Sequence, residues 1–271
     1  MVELRYPGGK KRVVNFSYDD GVLQDIPLVD MMNRYNLKGT FNLNSALMQE
    51  AFTWIHPCGM PVTRLSPQQA AGLYTGHEVA SHTQRHPYMD NFSREQILRE
   101  LSEDRQALKQ LFADPICGYA TPFHFYSSTL ADCVRACGFS YGRVSQMDAS
   151  YTPWRERYSW KPGIFHEDPG LQEYIDGFLR SQQSLAFCQV VGHSYDLEAS
   201  NHWARMEEIF YRISCQEDVW SATHLQIVTY LQALQQLVQS DHHIHNPSPE
   251  CIWIAIDGQP IVIPPRSTLS L

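Results

Sequence analysis

The feature that most constrains this chain is an alternation of two hydrophobic periods along most of its length. Residues 12–17, Arg-Val-Val-Asn-Phe-Ser, read as a strand, and the apolar positions 26, 28, 29, 32 and 35 that follow have helical spacing. Residues 40–43 read as a second strand, Ser66-Pro67 as a helix start, and 78–82 as a third strand. Ser93 and Gln96 form a capping box ahead of Ile97, Leu98, Leu101, Leu108, Leu111 and Phe112. Strands are then expected at 116–121, 139–145, 185–192 and 218–223, with helices at 128–137, 171–180, 202–213 and 224–238. Seven strands alternating with helices predict an α/β fold, a distorted or incomplete (β/α) barrel of about seven parallel strands over residues 1–240. A doubly wound open sheet is the alternative. Residues 251–256 and 261–263 around Asp257-Gly258 carry a hairpin signal, so 241–271 are expected to form a C-terminal β-hairpin extension packed on the same domain.

Composition narrows the function classes. Hydrophobic residues make up 43% of the 271 and charged ones only 18%, so a large core is available and disorder is excluded for most of the chain. The net charge of −8, with no basic cluster beyond Lys10-Lys11-Arg12, excludes a phosphate-gripping surface, so nucleic acid is not an expected partner. No apolar run resembles a secretory signal or reaches the roughly 20 residues of a membrane span, so a cytoplasmic protein without a membrane partner is expected. Seven cysteines without C-x-x-C spacing suggest buried thiols rather than a disulfide framework.

The chemistry-bearing residues fall at expected strand ends. Asp19-Asp20-Gly21 follows the first strand, where barrels and open α/β sheets carry their active sites. Alone it is an ordinary turn. His82 and His86 follow the third strand, four apart on a turn, and can converge on one divalent cation. Thr83 occupies the place where a metalloprotease helix would need Glu, so the base must come from elsewhere, and one of the two aspartates can bind the cation while its neighbour accepts a proton. His193 ends the strand at 185–192 on the same barrel face. Carboxylates, a histidine pair and a third histidine form the set that hydrolysis of an acyl bond requires.

These residues resemble the polysaccharide deacetylases, the family 4 carbohydrate esterases that share the chitooligosaccharide deacetylase homology domain. Phe16-Ser17-Tyr18-Asp19-Asp20-Gly21 is similar to the family's first motif, T-F-D-D-G, and His82-Thr83-Gln84-Arg85-His86-Pro87 to its second, H-[ST]-x-x-H. The resemblance covers about residues 12–223. It implies that Asp19 is the base, that Asp20, His82 and His86 bind one divalent ion, and that His193 is the late-strand acid. It further implies that the Phe123 backbone N–H steadies the oxyanion. Zinc is the expected ion, with cobalt, nickel, manganese or iron as alternatives.

Two departures stand out. The third motif, R-x-P-[FY], reads Ala120-Thr121-Pro122-Phe123, so the arginine that pairs with the base is missing there. Its replacement is expected from a different strand or the long loop, with Arg143 and Lys161 as candidates. The Asp-Trp element that orients the acid has no match, and Asp148, Trp160 and Asp168 are its candidates. The stretch 148–170 is expected to fold over the barrel mouth, where Tyr151, Trp154, Tyr158 and Trp160 either stack on sugars or pack. His242, His243 and His245 read as a solvated loop, and Cys133 and Cys137 as core-facing.

The expected activity is divalent-metal-dependent hydrolysis of a C–N bond, removing acetyl from an acetylated amino sugar or oligosaccharide. Hydrolysis of small cyclic amides, or a catalytically weak carbohydrate-binding relative, are the alternatives. The oligomeric state is open.

Overall fold

The computed structural model describes residues 2–153 and 156–271. Its centre is one parallel sheet, whose strands we number in chain order: β1 Arg12–Asp19, β2 Gly39–Leu43, β3 Glu78–Ser81, β4 Gly118–Ala120, β5 Tyr141–Arg143, β6 Ile164–Phe165, β7 Ala186–Gly192 and β8 Val219–Ser221. The spatial order is β5-β4-β3-β2-β1-β7-β6. Strand β8 pairs with β1 at Arg12 to Val14, below the stretch Phe16 to Asp19 that pairs with β2, while β7 runs along the other edge of β1 from Arg12 to Tyr18. A bridge from Arg143 to Trp160 brings the chain from β5 toward β6, so the two ends of the sheet nearly meet. This is the distorted (β/α) barrel that the alternation predicts, with the two-residue β6 as a strand too short to show a period.

Every residue of β1 is buried, because the strand has neighbours on both edges and packing on both faces. Its period of two separates the faces. Val14, Phe16 and Tyr18 enter the main apolar cluster beneath the helices, and Phe16 meets Phe210 edge-on at 4.8 Å. Asn15, Ser17 and Asp19 point inward. There Asn15 bonds Thr40 and the carbonyl of Ala222, and Ser17 accepts from Asn42 at 2.9 Å.

The helices begin where their caps require. Ser66, Ser93 and Thr223 each cap through a reciprocal pair with Gln69, Gln96 and Gln226. Asp257-Gly258 forms the two-residue turn between the strands Ile252–Ile256 and Gln259–Ile263, both residues with positive φ, 50° and 81°. The first of those strands also pairs with Val2–Arg5 from the start of the chain. A second apolar cluster, including Tyr6, Trp160, Phe187, Ile252 and Ile254, joins this hairpin to the barrel.

One expectation is corrected. His243 and His245 lie not in a solvated loop but on the strand His243–Asn246, held between Val238–Gln239 and Ser267–Ser270. The stretch 148–170 sets Phe165 in the lining of the mouth cavity, and of its four aromatics left open between stacking on sugars and packing, the described ones pack. Trp160 is buried against Phe187 and His224, Tyr151 packs on Tyr174 and Phe178, and Trp154 lies outside the described residues. Apolar packing is the stronger pull on these large side chains. Cys133 is buried in the main cluster as expected, and Cys137 packs against it half-buried.

One buried carboxyl ties the element after β1 to the element after β7. Asp25, at the start of the helix Asp25–Arg34, accepts Tyr74 Oη at 2.7 Å and Ser194 Oγ at 2.5 Å. Burial pushes its pKa up to about 7, against an ordinary 3.8. The folded chain therefore keeps a proton that the unfolded chain releases, so Asp25's contribution is full below about pH 3.8 and is lost as pH rises through 7. Asp25→Asn cannot ionise. Its unfolding midpoint should improve relative to the parent between about pH 4 and pH 8. A difference between the two midpoints that stays flat with pH contradicts this.

Candidate active site

The mouth of the barrel is the end where β1, β3, β4, β5 and β7 release their C-terminal residues. A cavity of about 250 Å³ opens there, lined by Asp19, Asp20, His82, His86, Arg143 and His193 among others. Cavities of about 500 and 550 Å³ flank the helix His224–Gln235. Neither holds a histidine among the described residues, so neither can assemble the chemistry below.

His82 follows β3, its N–H bonded to Leu43 O at 2.9 Å. Its Nδ1 lies 2.9 Å from the carbonyl oxygen of Ala120. A carbonyl only accepts, so Nδ1 carries the proton and Nε2 keeps its lone pair facing the cavity. Nε2 is 3.8 Å from Asp20 Oδ1, and His86 Nε2 is 3.6 Å from the same oxygen. The intervening turn is held by Asn44, whose amide donates to the carbonyls of His82 and Thr83 at 2.6 and 2.9 Å. Burial holds both imidazoles below their ordinary pKa, His82 at about 4, so both are neutral and able to ligate.

Ligand atoms of Asp20, His82 and His86 lie within 4.8 Å of one another, the one such group of three among the described residues. Asp20 Oδ1 is buried without a hydrogen bond. Arg64 Nη1 stands 2.9 Å from it, an ion-pair contact. An unsatisfied carboxylate oxygen facing two neutral imidazoles suits a divalent cation with nitrogen and oxygen ligands. His242, His243 and His245 share a shallow surface cavity, but they do not form such a group.

Asp19 is occupied differently. Arg143 Nη2 bridges its two oxygens at 2.5 and 2.6 Å, and Asn42 donates to Oδ1 at 2.7 Å. Burial opposes ionisation, but Arg143 first, then His82 and His193, hold the carboxyl below its ordinary pKa. Arg143 stands beside Ala120 in the β4–β5 register. The cation absent from the motif position is thus supplied one strand over, at the neighbouring rung of the ladder.

His193 follows β7, and its Nδ1 is 2.9 Å from Asp196 Oδ2, one helical turn on. The carboxylate accepts, so Nδ1 is protonated and the far nitrogen is left for the cavity. Burial would lower the His193 pKa, yet the Asp196 bond and then the charges of Asp20 and Asp19 lift it to about 9. Asp196 is also approached by His166 Nε2 at 3.7 Å and His56 Nε2 at 3.6 Å. His166 fits because Gly192 has no side chain: a Cβ there would lie 2.2 Å from the ring. Asp148 and Asp168 instead bond the N–H groups of Ser150 and Gly170, and Trp160 is buried elsewhere, so none of these orients His193. Sequence reading missed Asp196, although the His-x-x-Asp spacing after a strand was there to be found.

Phe123 completes the rim. It has φ 53°, its ring stacks on Tyr88 at 3.7 Å, and it meets His86 edge-on at 4.4 Å.

A family profile described as polysaccharide deacetylase matches residues 7–142. No match to a curated protein was found for the sequence. Among solved structures, a Mycobacterium smegmatis protein classed with the polysaccharide deacetylases aligns over 88% of this chain and 98% of its own, with a TM-score of 0.62 and 14% identity. A family 4 acetyl xylan esterase of Clostridium thermocellum, in complex with a cobalt ion, aligns over 81% and 91%, with a TM-score of 0.53 and 14% identity. A family 4 pseudoenzyme of Bacillus anthracis, as a variant with restored activity, aligns over 82% and 69%, with a TM-score of 0.53 and 12% identity. At these identities the structural likeness speaks for the fold, and the profile, spanning half of the chain, for the family: the chain belongs to the polysaccharide deacetylases.

Proposed function

We propose that this protein is a divalent-metal-dependent deacetylase that hydrolyses the C–N bond of an N-acetylated amino sugar. The observation that carries the reading is the convergence at one barrel mouth of three ligand-type side chains, a carboxylate fixed by its own arginine and a histidine fixed by its own carboxylate. A binding module needs no such division of roles. Asp20, His82 and His86 would hold the ion. A divalent cation there supplies Lewis acidity, polarising an acyl carbonyl and making water a stronger acid.

The residues of the chain account for the remaining steps. Asp19 Oδ1 has two donors, Arg143 and Asn42, whereas Oδ2 has Arg143 alone. Oδ2, which lies 4.0 Å from His82 Nε2, is the oxygen that takes the proton as water attacks the acyl carbon. The Phe123 N–H donates to the oxygen that becomes negative. His193, protonated at neutral pH and oriented by Asp196, gives its proton to the departing nitrogen as the C–N bond breaks. The products are the free amine and acetate.

Acetate release from N-acetylated amino sugars and their oligomers, measured on zinc- and cobalt-loaded protein, tests the activity. No release from any of them would overturn the proposal. The ligand assignment is tested by metal analysis. One equivalent of ion is expected in the parent, with most of it lost from His82→Ala and from Asp20→Asn, and unchanged metal content in those variants contradicts it.

The base and acid should fail differently. Asp19→Asn should keep its metal and lose turnover by roughly 100- to 10,000-fold. His193→Ala should also keep the metal, but activated aryl acetates, whose leaving groups need no proton, should suffer far less than acetamides. Loss of metal from Asp19→Asn with retention in Asp20→Asn would reverse the two roles.

A further inference from the structure

Two neighbouring residues of a strand point to opposite faces, so Asp19 and Asp20 cannot both enter the barrel mouth if β1 simply continues. Asn15, Ser17 and Asp19 occupy the inner face and Phe16 and Tyr18 the outer, and an extended Asp20 would follow the latter beneath the helices. The chain avoids this by taking Asp20 to φ 90°, a region that non-glycine residues enter only when their surroundings hold them. The Asp20 N–H is bonded to Asn42 O at 2.9 Å. Its carbonyl accepts Nη1 of Arg64, and the same nitrogen is 2.9 Å from its carboxylate Oδ1. One guanidinium nitrogen therefore grips the strained backbone and the side chain that the strain re-aims.

Arg64 is built for that position. It is 4% exposed and follows the strand Pro61–Thr63, which pairs with Thr53–Ile55. Its N–H bonds Phe52 O at 2.9 Å, and it bridges to Val22 in the segment just after the aspartates. Its guanidinium carbon lies 4.9 Å from the centre of the Trp54 ring. The hairpin thus brings a seated cation to the one carboxylate that Arg143 does not reach.

We propose that Arg64 is a positioning residue for the metal site, holding Asp20 in the left-handed turn that aims its carboxylate at His82 and His86. The inference rests on the reading of Asp20 as a ligand. Its consequence has a sign opposite to that of simple electrostatics. A cation near a metal site repels the metal, so if Arg64 acted by charge alone, removing it would tighten binding. If it acts by positioning, removing it weakens binding.

Zinc affinity, read by competition with a chromophoric chelator, separates the two. Arg64→Met should bind zinc about tenfold more weakly or worse, because the turn at Asp20 loses its hold. Arg64→Lys, which can still reach one of the two oxygens, should fall between it and the parent. Circular dichroism checks that the variants are folded, and if Arg64→Met is not, Arg64→Lys decides, with weaker binding expected in a folded protein. Affinity equal to or tighter than the parent's in a folded variant overturns the proposal. A parent that binds no zinc at all would instead overturn the ligand assignment, and this inference with it.

Discussion

Two carboxylates adjacent in sequence and buried at one strand end repel each other and have lost most of their water, a combination that folding tolerates only when each is given a compensating charge. Much of the barrel mouth answers that demand. Arg143 from β5 bridges Asp19, and Arg64 from the hairpin reaches Asp20. Burial alone would push both groups toward the neutral form, yet Arg143 at Asp19, Arg64 at Asp20 and the charged His193 near both keep them ionised. The pair is stable in its charged form, and it is charged that one can ligate and the other accept a proton.

Backbone strain follows the same geography. Of the ten non-glycine residues with positive φ among the described residues, Asp20, Thr83, His86 and Phe123 lie at the mouth. Each turns a side chain or a backbone group away from where regular structure would send it. Such conformations are costly, and their gathering at one place marks a site where aim matters more than local ease. Residues of β2 and just after it help to hold two of these turns: Asn42 O accepts the Asp20 N–H, and the Asn44 amide donates to the His82 and Thr83 carbonyls.

How much of this the sequence disclosed depends on the range of the interaction. The strands and helices were legible because burial on one or both faces writes a period into consecutive residues, and the motifs were legible because their members sit within a few positions. The partner of Asp19 lies 124 residues away, on a strand whose register beside Ala120 no local pattern records, so Arg143 could be named only as one of two candidates. Arg64 left no trace at all, since its segment is a three-residue strand with mixed burial. Asp196 is readable from its spacing to His193, three positions on after a strand, although it resembles no part of an Asp-Trp element. Trp160 is the converse case, a large aromatic in a long loop whose choice between a sugar and the core only the packing decides, for the core.

The proposed ion would sit at the ends of β1 and β3, between the first motif's second aspartate and the histidine pair. Anomalous diffraction from zinc-loaded crystals, collected on both sides of the zinc edge, tests this placement most directly. One strong peak is expected between Asp20, His82 and His86, with Asp19 still on Arg143 and outside the coordination shell. A peak at His243 and His245 instead, or one with Asp19 as the ligand and Asp20 turned away, would contradict it.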